Sequence, residues 1–327
     1  MTPMSKLIAL GVMLSMSAVA AVKIEKVAYA GWPNCYKISN GEVELIVSTD
    51  VGPRVLRYGF VGGQNLFVEF KEEQGKSGEK TWFGRGGHRL WIAPETRPDT
   101  YALDNSTVKA TITGNTIELK APVEKETGLE KVILIKLADK GSDVEVTHRI
   151  HNMSGKVKRY APWALSMMAA GGTAIAGFPA RGSHTENLLP TNPLTMWSYT
   201  DLTDKRWTFT KKYLLLRQDG KISAPQKMAL FNKDTFAAYL LGSDLFIKRY
   251  TADPTKTYPD FGCSFETFTN ERFLELETVG PLADVQPGSG VQHVERWSLH
   301  KDVKLPSLKT SANEAEIDKV LLPLLAR

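Results

Sequence analysis

What most constrains this chain is a rhythm of short β-type runs cut by hairpin chemistry, sustained from Gly31 to His300. Runs at 42–48, 54–60, 107–112, 116–121, 129–137 and 143–151 are alternating or β-branched. Their breaks read Asn40-Gly41, Gly62-Gly63, Gly114-Asn115 and Gly141-Ser142, the dipeptides that tight hairpin turns require. The clearest hairpin is 107–121, folded about Gly114-Asn115. A further stretch, 258–299, gives runs at 262–269, 273–279 and 291–299, parted by Thr269-Asn270-Glu271 and by the turn from Gln286 to Gly290. It reads as a meander ending in a sheet. Parallel strands would need crossover helices between them, and none is present, so the expected fold is all-β and antiparallel, a β-sandwich. Only 313–325 has helical spacing, with Ile317, Val320, Leu321 and Leu324 recurring after a cap at Ser311 or Asn313. At 42% hydrophobic and 24% charged, with no repeat and no long linker, the chain fits one large globular unit.

The N-terminus has a different character. Lys6 precedes an apolar run from Leu7 to Met16, followed by Ser17-Ala18-Val19-Ala20-Ala21. Charged head, apolar middle and small-residue site are the parts of a secretory signal peptide, expected over 1–21 with cleavage after Ala20 or Ala21. The apolar run is too short for an ordinary membrane span. The expectation is therefore a periplasmic or secreted protein with no membrane anchor after cleavage, a single domain over 22–306 and a helical tail over 307–327. Export permits a disulfide between Cys35 and Cys263, the alternative being two buried free thiols. The net charge of +5 is mild, and Lys71, Lys76, Lys80 and Lys156 are dispersed through turns, which argues against a nucleic-acid partner. The basic balance leaves room for an anionic ligand. No metal cluster and no cofactor is expected: His148 and His151 are the nearest pair, and residues three apart on a strand face opposite ways.

Three segments carry the candidate chemistry. With period two, Ser264, Glu266 and Phe268 share one face of their strand and Phe265, Thr267 and Thr269 the other. A carboxylate beside an aromatic ring loses hydration, and its pKa rises toward the range of a general base. The alternative is a solvated Glu266 on an open sheet face. The bend 82–98 supplies Arg85, His88, Arg89, Trp91 and Glu95 beside Gly84, Gly86 and Gly87. Donors, an aromatic platform and a carboxylate suit a sugar, and the glycines would let backbone approach a ligand. A glycine-rich bend with solvated arginines is the plainer reading. The Pro- and Asn-rich segment 182–206 reads as a rim loop or a surface insertion, with Trp197, Tyr199, Asp201, Asp204 and Arg206 as candidate wall and hydroxyl contacts. Lys227 and Lys248 are weaker candidates, since isolated lysines in strands are usually solvated edge residues.

The run Gly262-Cys263-Ser264-Phe265-Glu266-Thr267-Phe268, followed by Glu275, Glu277, Gly280-Pro281-Leu282, Pro287-Gly288 and the sequence from His293 to Trp297, resembles the C-terminal signature of galactose mutarotase-like proteins. The likeness extends with lower specificity over about Trp32 to His300. It implies a β-supersandwich with Glu266 as catalytic base. By the same likeness Arg85, His88 and Arg89 line the sugar pocket, with Trp91 and Glu95 beside them, and Asp204 or Asp201 takes the place of a mid-chain aspartate, near Arg206. Where the classical mutarotases carry an Asn-His pair for the general acid, this chain has Pro162-Trp163-Ala164-Leu165. The usual acid is missing, Trp163 joins the expected substrate contacts, and His88 or His184 is left as a substitute. Two functions follow. One is an exported protein that binds a mono- or oligosaccharide around Glu266 and Arg85–Arg89. The other is an aldose 1-epimerase-type isomerase with Glu266 as base and a non-standard acid.

Overall fold

The structure, a computed structural model, describes residues 21–232, 236–305 and 314–326. The expected signal peptide, 1–21, lies outside the described residues except for Ala21, and so does the beginning of the expected tail.

The strands fall where the turn chemistry puts them, and observed bounds include Arg54–Phe60, Thr116–Lys120 and Leu129–Leu137. They assemble into two large antiparallel sheets, of 11 and 10 strands, packed face to face as the expected supersandwich. The apolar side of each strand meets the other sheet, and Leu45, Val55, Ile133, Val146, Phe246 and Phe265 are among the side chains sealed between them. Chain order and strand order differ in one place that matters. Phe265–Thr269 pairs with Leu274–Val279 in the first sheet, but Gly290–His300 crosses to the second sheet, between Asp244–Arg249 and Val144–Asn152. The meander read from the sequence is thus split between two layers. The helix Glu314–Leu325 buries Ile317 and Leu321 against Ile175, Tyr213 and Ala238 of the second sheet, as its spacing required. Among the described residues no helix is long and apolar enough to cross a membrane.

Both cysteines are free and buried. Cys35 packs with Trp32, Val51 and Leu56, while the Cys263 thiol lies 3.2 Å from Thr195 Oγ1. Burial pushes the two thiols up to about 11 and about 12. Native protein is expected to react negligibly with a thiol reagent at neutral pH, and denatured protein to titrate both thiols without reductant; a single fast-reacting thiol in the folded state would contradict this packing.

Candidate functional site

The site grows from adjacent strands of the first sheet: Gly87–Ala93, Lys158–Met168, Leu274–Val279, Phe265–Thr269 and Gln226–Leu230. Register places their outward side chains in rows. Trp91, Trp163 and Val279 form the first. Arg89, Leu165, Glu277, Glu266 and Ala229 form the second, and Gly87, Met167, Glu275, Phe268 and Lys227 the third. Side chains of one row stand close enough to touch. A floor with Arg89, Glu275, Glu277, Glu266 and Lys227 side by side is therefore a consequence of register. Above it Trp82 packs on Trp91 and Tyr101 with ring centroids 5.2 and 5.4 Å apart, and Tyr199 meets Phe268 at 6.5 Å. The result is a cleft of about 430 Å³ walled by aromatic rings and floored by charge.

Charge on the floor is paired, and the pairing leaves a carboxyl over. The Lys227 ammonium lies 2.7 Å from Glu266 Oε2 and donates to Glu277 Oε2 at 3.0 Å, with the Trp163 and Trp197 rings each 4.7 Å away. Arg89 reaches Glu275 at 3.3 Å and stacks on Trp91 at 4.2 Å. Burial works against the charge on Lys227, but Glu266 and Glu277 outweigh it and hold the ammonium well above its ordinary pKa. Glu266 is fully buried, and burial, with Glu277 adding and Lys227 opposing, lifts its carboxyl well above the usual range. Burial and Glu277 also raise Glu275, to about 7, against the pull of Arg89. Three carboxyls, Glu266, Glu275 and Glu277, thus face two cations, Lys227 and Arg89, and burial favours the protonated form of Glu266 and of Glu275.

The floor and walls are also unsatisfied. Glu266 Oε1, Glu277 Oε1, Arg89 Nε, Trp82 Nε1 and Trp163 Nε1 are buried and have no hydrogen-bond partner. Buried polar groups are nearly always paired, and each orphan costs about 1–3 kcal/mol, so convergence of several on one cleft marks a place built for a polar ligand.

Of the residues expected from the sequence, Glu266, Arg89, Trp91, Glu95, Trp163, Trp197 and Tyr199 come together here, and Asp201 and His184 line neither this cleft nor the hollow beside it. Four others also fall elsewhere. His88 has the opposite parity to Arg89 and Trp91 and points between the sheets, fully buried. Arg85 turns away to pair with Glu79 and is 3% exposed. Asp204 and Arg206 grip each other at 2.7 Å, and Arg206 also donates to the Ile222 and Ala224 carbonyls, which ties their loop to the connection at 218–225. The glycines of the bend likewise serve the fold. A Cβ on Gly86 or Gly87 would stand 2.0 Å from the Val68 carbonyl oxygen or 2.3 Å from that of Val55, so it is neighbouring backbone that approaches there. Lys227, a weaker candidate read as a solvated edge residue, joins the site, and Glu275 and Tyr101 join it unforeseen. The Gln226–Leu230 strand is buried at every position, and a lysine in a strand with no wet face must find carboxylates inside.

His88 belongs to a second polar group, sealed between the sheets. His148 Nδ1 donates to the His293 carbonyl at 3.1 Å, leaving its Nε2 to accept from His88 Nε2 at 2.7 Å. Ser166 then donates to His88 Nδ1 at 2.9 Å. Glu295 lies alongside, 2.7 Å from the Lys248 ammonium, and accepts from Trp297 Nε1 at 2.8 Å and from Thr278. His88, His148 and Glu295 have the ligand types of a metal site, but every donor atom facing the centre is already engaged and Lys248 supplies the cation. The group is a closed network and not an open ligand set.

No protein-family model matches the chain, and no curated protein is similar enough in sequence to count as a relative. Solved structures do match. A galactose mutarotase-like protein from Lactobacillus casei superposes with a TM-score of 0.55 at 11% identity, over 82% of this chain and 100% of its own. The fold is galactose mutarotase-like. A galactose mutarotase related enzyme from Lactobacillus acidophilus gives 0.53 at 10% identity over 83% and 100%, and a galactose mutarotase-like protein from Clostridium acetobutylicum 0.52 at 12% over 86% and 99%. At such identities this likeness establishes the galactose mutarotase-like architecture, and the chemistry rests on the cleft itself.

Proposed function

We propose that the cleft binds a saccharide, and that the protein is an exported carbohydrate-binding protein. One observation carries this reading: unpartnered buried acceptors and donors, Glu266 Oε1, Glu277 Oε1, Arg89 Nε and two indole nitrogens, belong to residues that line an aromatic-walled cleft and the hollow beside it. A sugar ring presents hydroxyls at its edge and C–H surface on its faces, and it answers both needs at once. The carboxyls favour a neutral, hydroxyl-donating ring. A uronate would face Glu275, Glu277 and Glu266 together, whatever the basic charge of the whole chain suggests.

The second reading is anomeric epimerisation of a free aldose. Glu266 favours it, being a carboxyl of shifted pKa within 2.7 Å of an ammonium. Against it, no histidine lines the cleft among the described residues, and the raised pKa of Lys227 makes that ammonium a reluctant acid. Binding without turnover is the better account.

A thermal-shift screen of neutral, amino and acidic sugars tests both. A ligand at about a hundred times its Kd adds about 2.7 kcal/mol, or about 5 °C in a chain of this size. Trp163→Ala is expected to abolish the shift. Polarimetry of freshly dissolved aldoses is expected to show no acceleration over the spontaneous rate. Acceleration that disappears in Glu266→Gln would instead establish the epimerase, and no shift with any saccharide would remove the binding reading.

A further inference from the structure

Beside the cleft lies a second hollow, of about 350 Å³, lined by Glu266, Trp197, Asp260, Arg97 and Thr96. The two share Glu95, Tyr101 and Trp163 as a common wall. Each has its own aromatic surface: Trp82, Phe70, Phe268 and Phe273 in the first, Trp197 in the second. Each also has its own unpartnered polar atoms, with Arg89 Nε, Trp82 Nε1 and Glu277 Oε1 on one side and Glu266 Oε1 on the other. Their floors are joined, since Lys227 holds Glu277 of the first hollow and Glu266 of the second on one nitrogen, at 3.0 and 2.7 Å.

The second hollow is also made at a conformational cost. Asp260 and Phe261 both take left-handed backbone, with φ of 52° and 62°, at roughly 1–2 kcal/mol each for residues other than glycine. Thr195 Oγ1 fixes that turn by donating to the Asp260 carbonyl at 3.0 Å. The turn puts Asp260 into the lining and leaves the Phe261 ring 90% exposed. Strain kept in a turn beside unpartnered groups points to use.

We propose that these hollows are two subsites for linked sugar rings, and that the ligand is an oligosaccharide whose linkage crosses Trp163. This rests on the saccharide reading of the cleft. One ring lies over Arg89, Glu275 and Phe268, the next against Trp197, Asp260 and Glu266, and the Lys227 group underlies the bond between them. A ring that fills one hollow leaves the orphaned atoms of the other unanswered, so affinity has to rise with the second ring.

Calorimetric titration of the full chain with matched pairs tests this: glucose against maltose and cellobiose, N-acetylglucosamine against its β-1,4 dimer, and galactose against its β-1,4 dimer. For at least one pair the disaccharide is expected to bind at least about 30-fold tighter than its monomer. Trp197→Ala and Phe268→Ala, each checked for an unchanged melting profile, sit in different hollows. Both are expected to weaken the disaccharide about tenfold or more, and no more than one of them to weaken the monomer. A disaccharide that binds no tighter than its monomer, in a protein that does bind the monomer, overturns the two-subsite proposal and leaves the saccharide reading intact. Absence of binding by every sugar overturns both. The wild-type comparison decides the matter even where a variant does not fold.

Discussion

Lys248→Met is expected to destabilise the protein by about 3–5 kcal/mol, a fall in melting temperature on the order of 10 °C, although the residue lies far from any surface. Lys248 is fully buried, ion-paired with Glu295 at 2.7 Å and donating to the Leu276 carbonyl at 3.2 Å. Methionine fills much of the same volume but leaves Glu295 as a buried carboxylate without a counterion. Burial alone would raise the Glu295 pKa, and Lys248, with the neighbouring histidines, holds it well below the ordinary range instead. Removing the lysine takes away the largest of those opposing influences. The double variant Lys248→Met with Glu295→Gln separates electrostatics from packing. Glutamine still offers an oxygen to Thr278 and Trp297, and no charge remains unpaired. The double variant is expected to recover about 2 kcal/mol or more relative to Lys248→Met alone. Equal urea midpoints for the single and double variants would show that the loss came from packing.

How much of this was legible from the sequence depends on whether a feature is local. Turn dipeptides such as Gly114-Asn115 and Gly141-Ser142 act over a few residues, so strand positions followed directly. The face that Glu266 takes was readable too, because Phe265 must join the core and its neighbour then faces the other way. The same parity, applied to Gly87–Ala93, separates His88 and Leu90 from Arg89 and Trp91. His88 and Arg89, as neighbours on one strand, cannot both face one pocket. Asp204 and Arg206 are a two-residue pair closed within their own loop, and such pairing looks identical in sequence to a pair facing a ligand. The Lys227 cluster lay beyond reach for a different reason. It depends on five strands, drawn from positions 87 to 279, lying in one register, and nothing within the Gln226–Leu230 strand names its partners. The crossing of Gly290–His300 into the opposite sheet is equally non-local, and it is what brings His293 and Glu295 to His88 and His148.

The two polar groups should also give the protein a stability profile with two opposing limbs, and Glu275→Gln is expected to expose one of them. In the network between the sheets, burial pushes His88 well below its ordinary pKa, His148 to about 4 and His293 to about 3. Their folded pKa values lie below the unfolded value near 6.5, so the unfolded chain takes up protons first. Their contribution to stability is complete above about pH 6.5 and is lost as pH falls toward 4, at up to about 1.4 kcal/mol per pH unit for each histidine. In the cleft the sign reverses. The folded pKa of Glu275, about 7, lies above its unfolded value near 4.3, so the folded state keeps a proton that the unfolded chain releases. Its contribution is fully present below about pH 4.3 and is lost as pH rises through 7. Between pH 7 and pH 5 Glu275 therefore offsets part of the loss from the histidines, by about 2 kcal/mol. Glutamine cannot titrate. Urea unfolding at pH 7, 6 and 5 is expected to show Glu275→Gln losing about 2 kcal/mol more than wild type across that interval. Parallel profiles for the two proteins would mean that Glu275 stays ionised on the floor beside Arg89 across that interval.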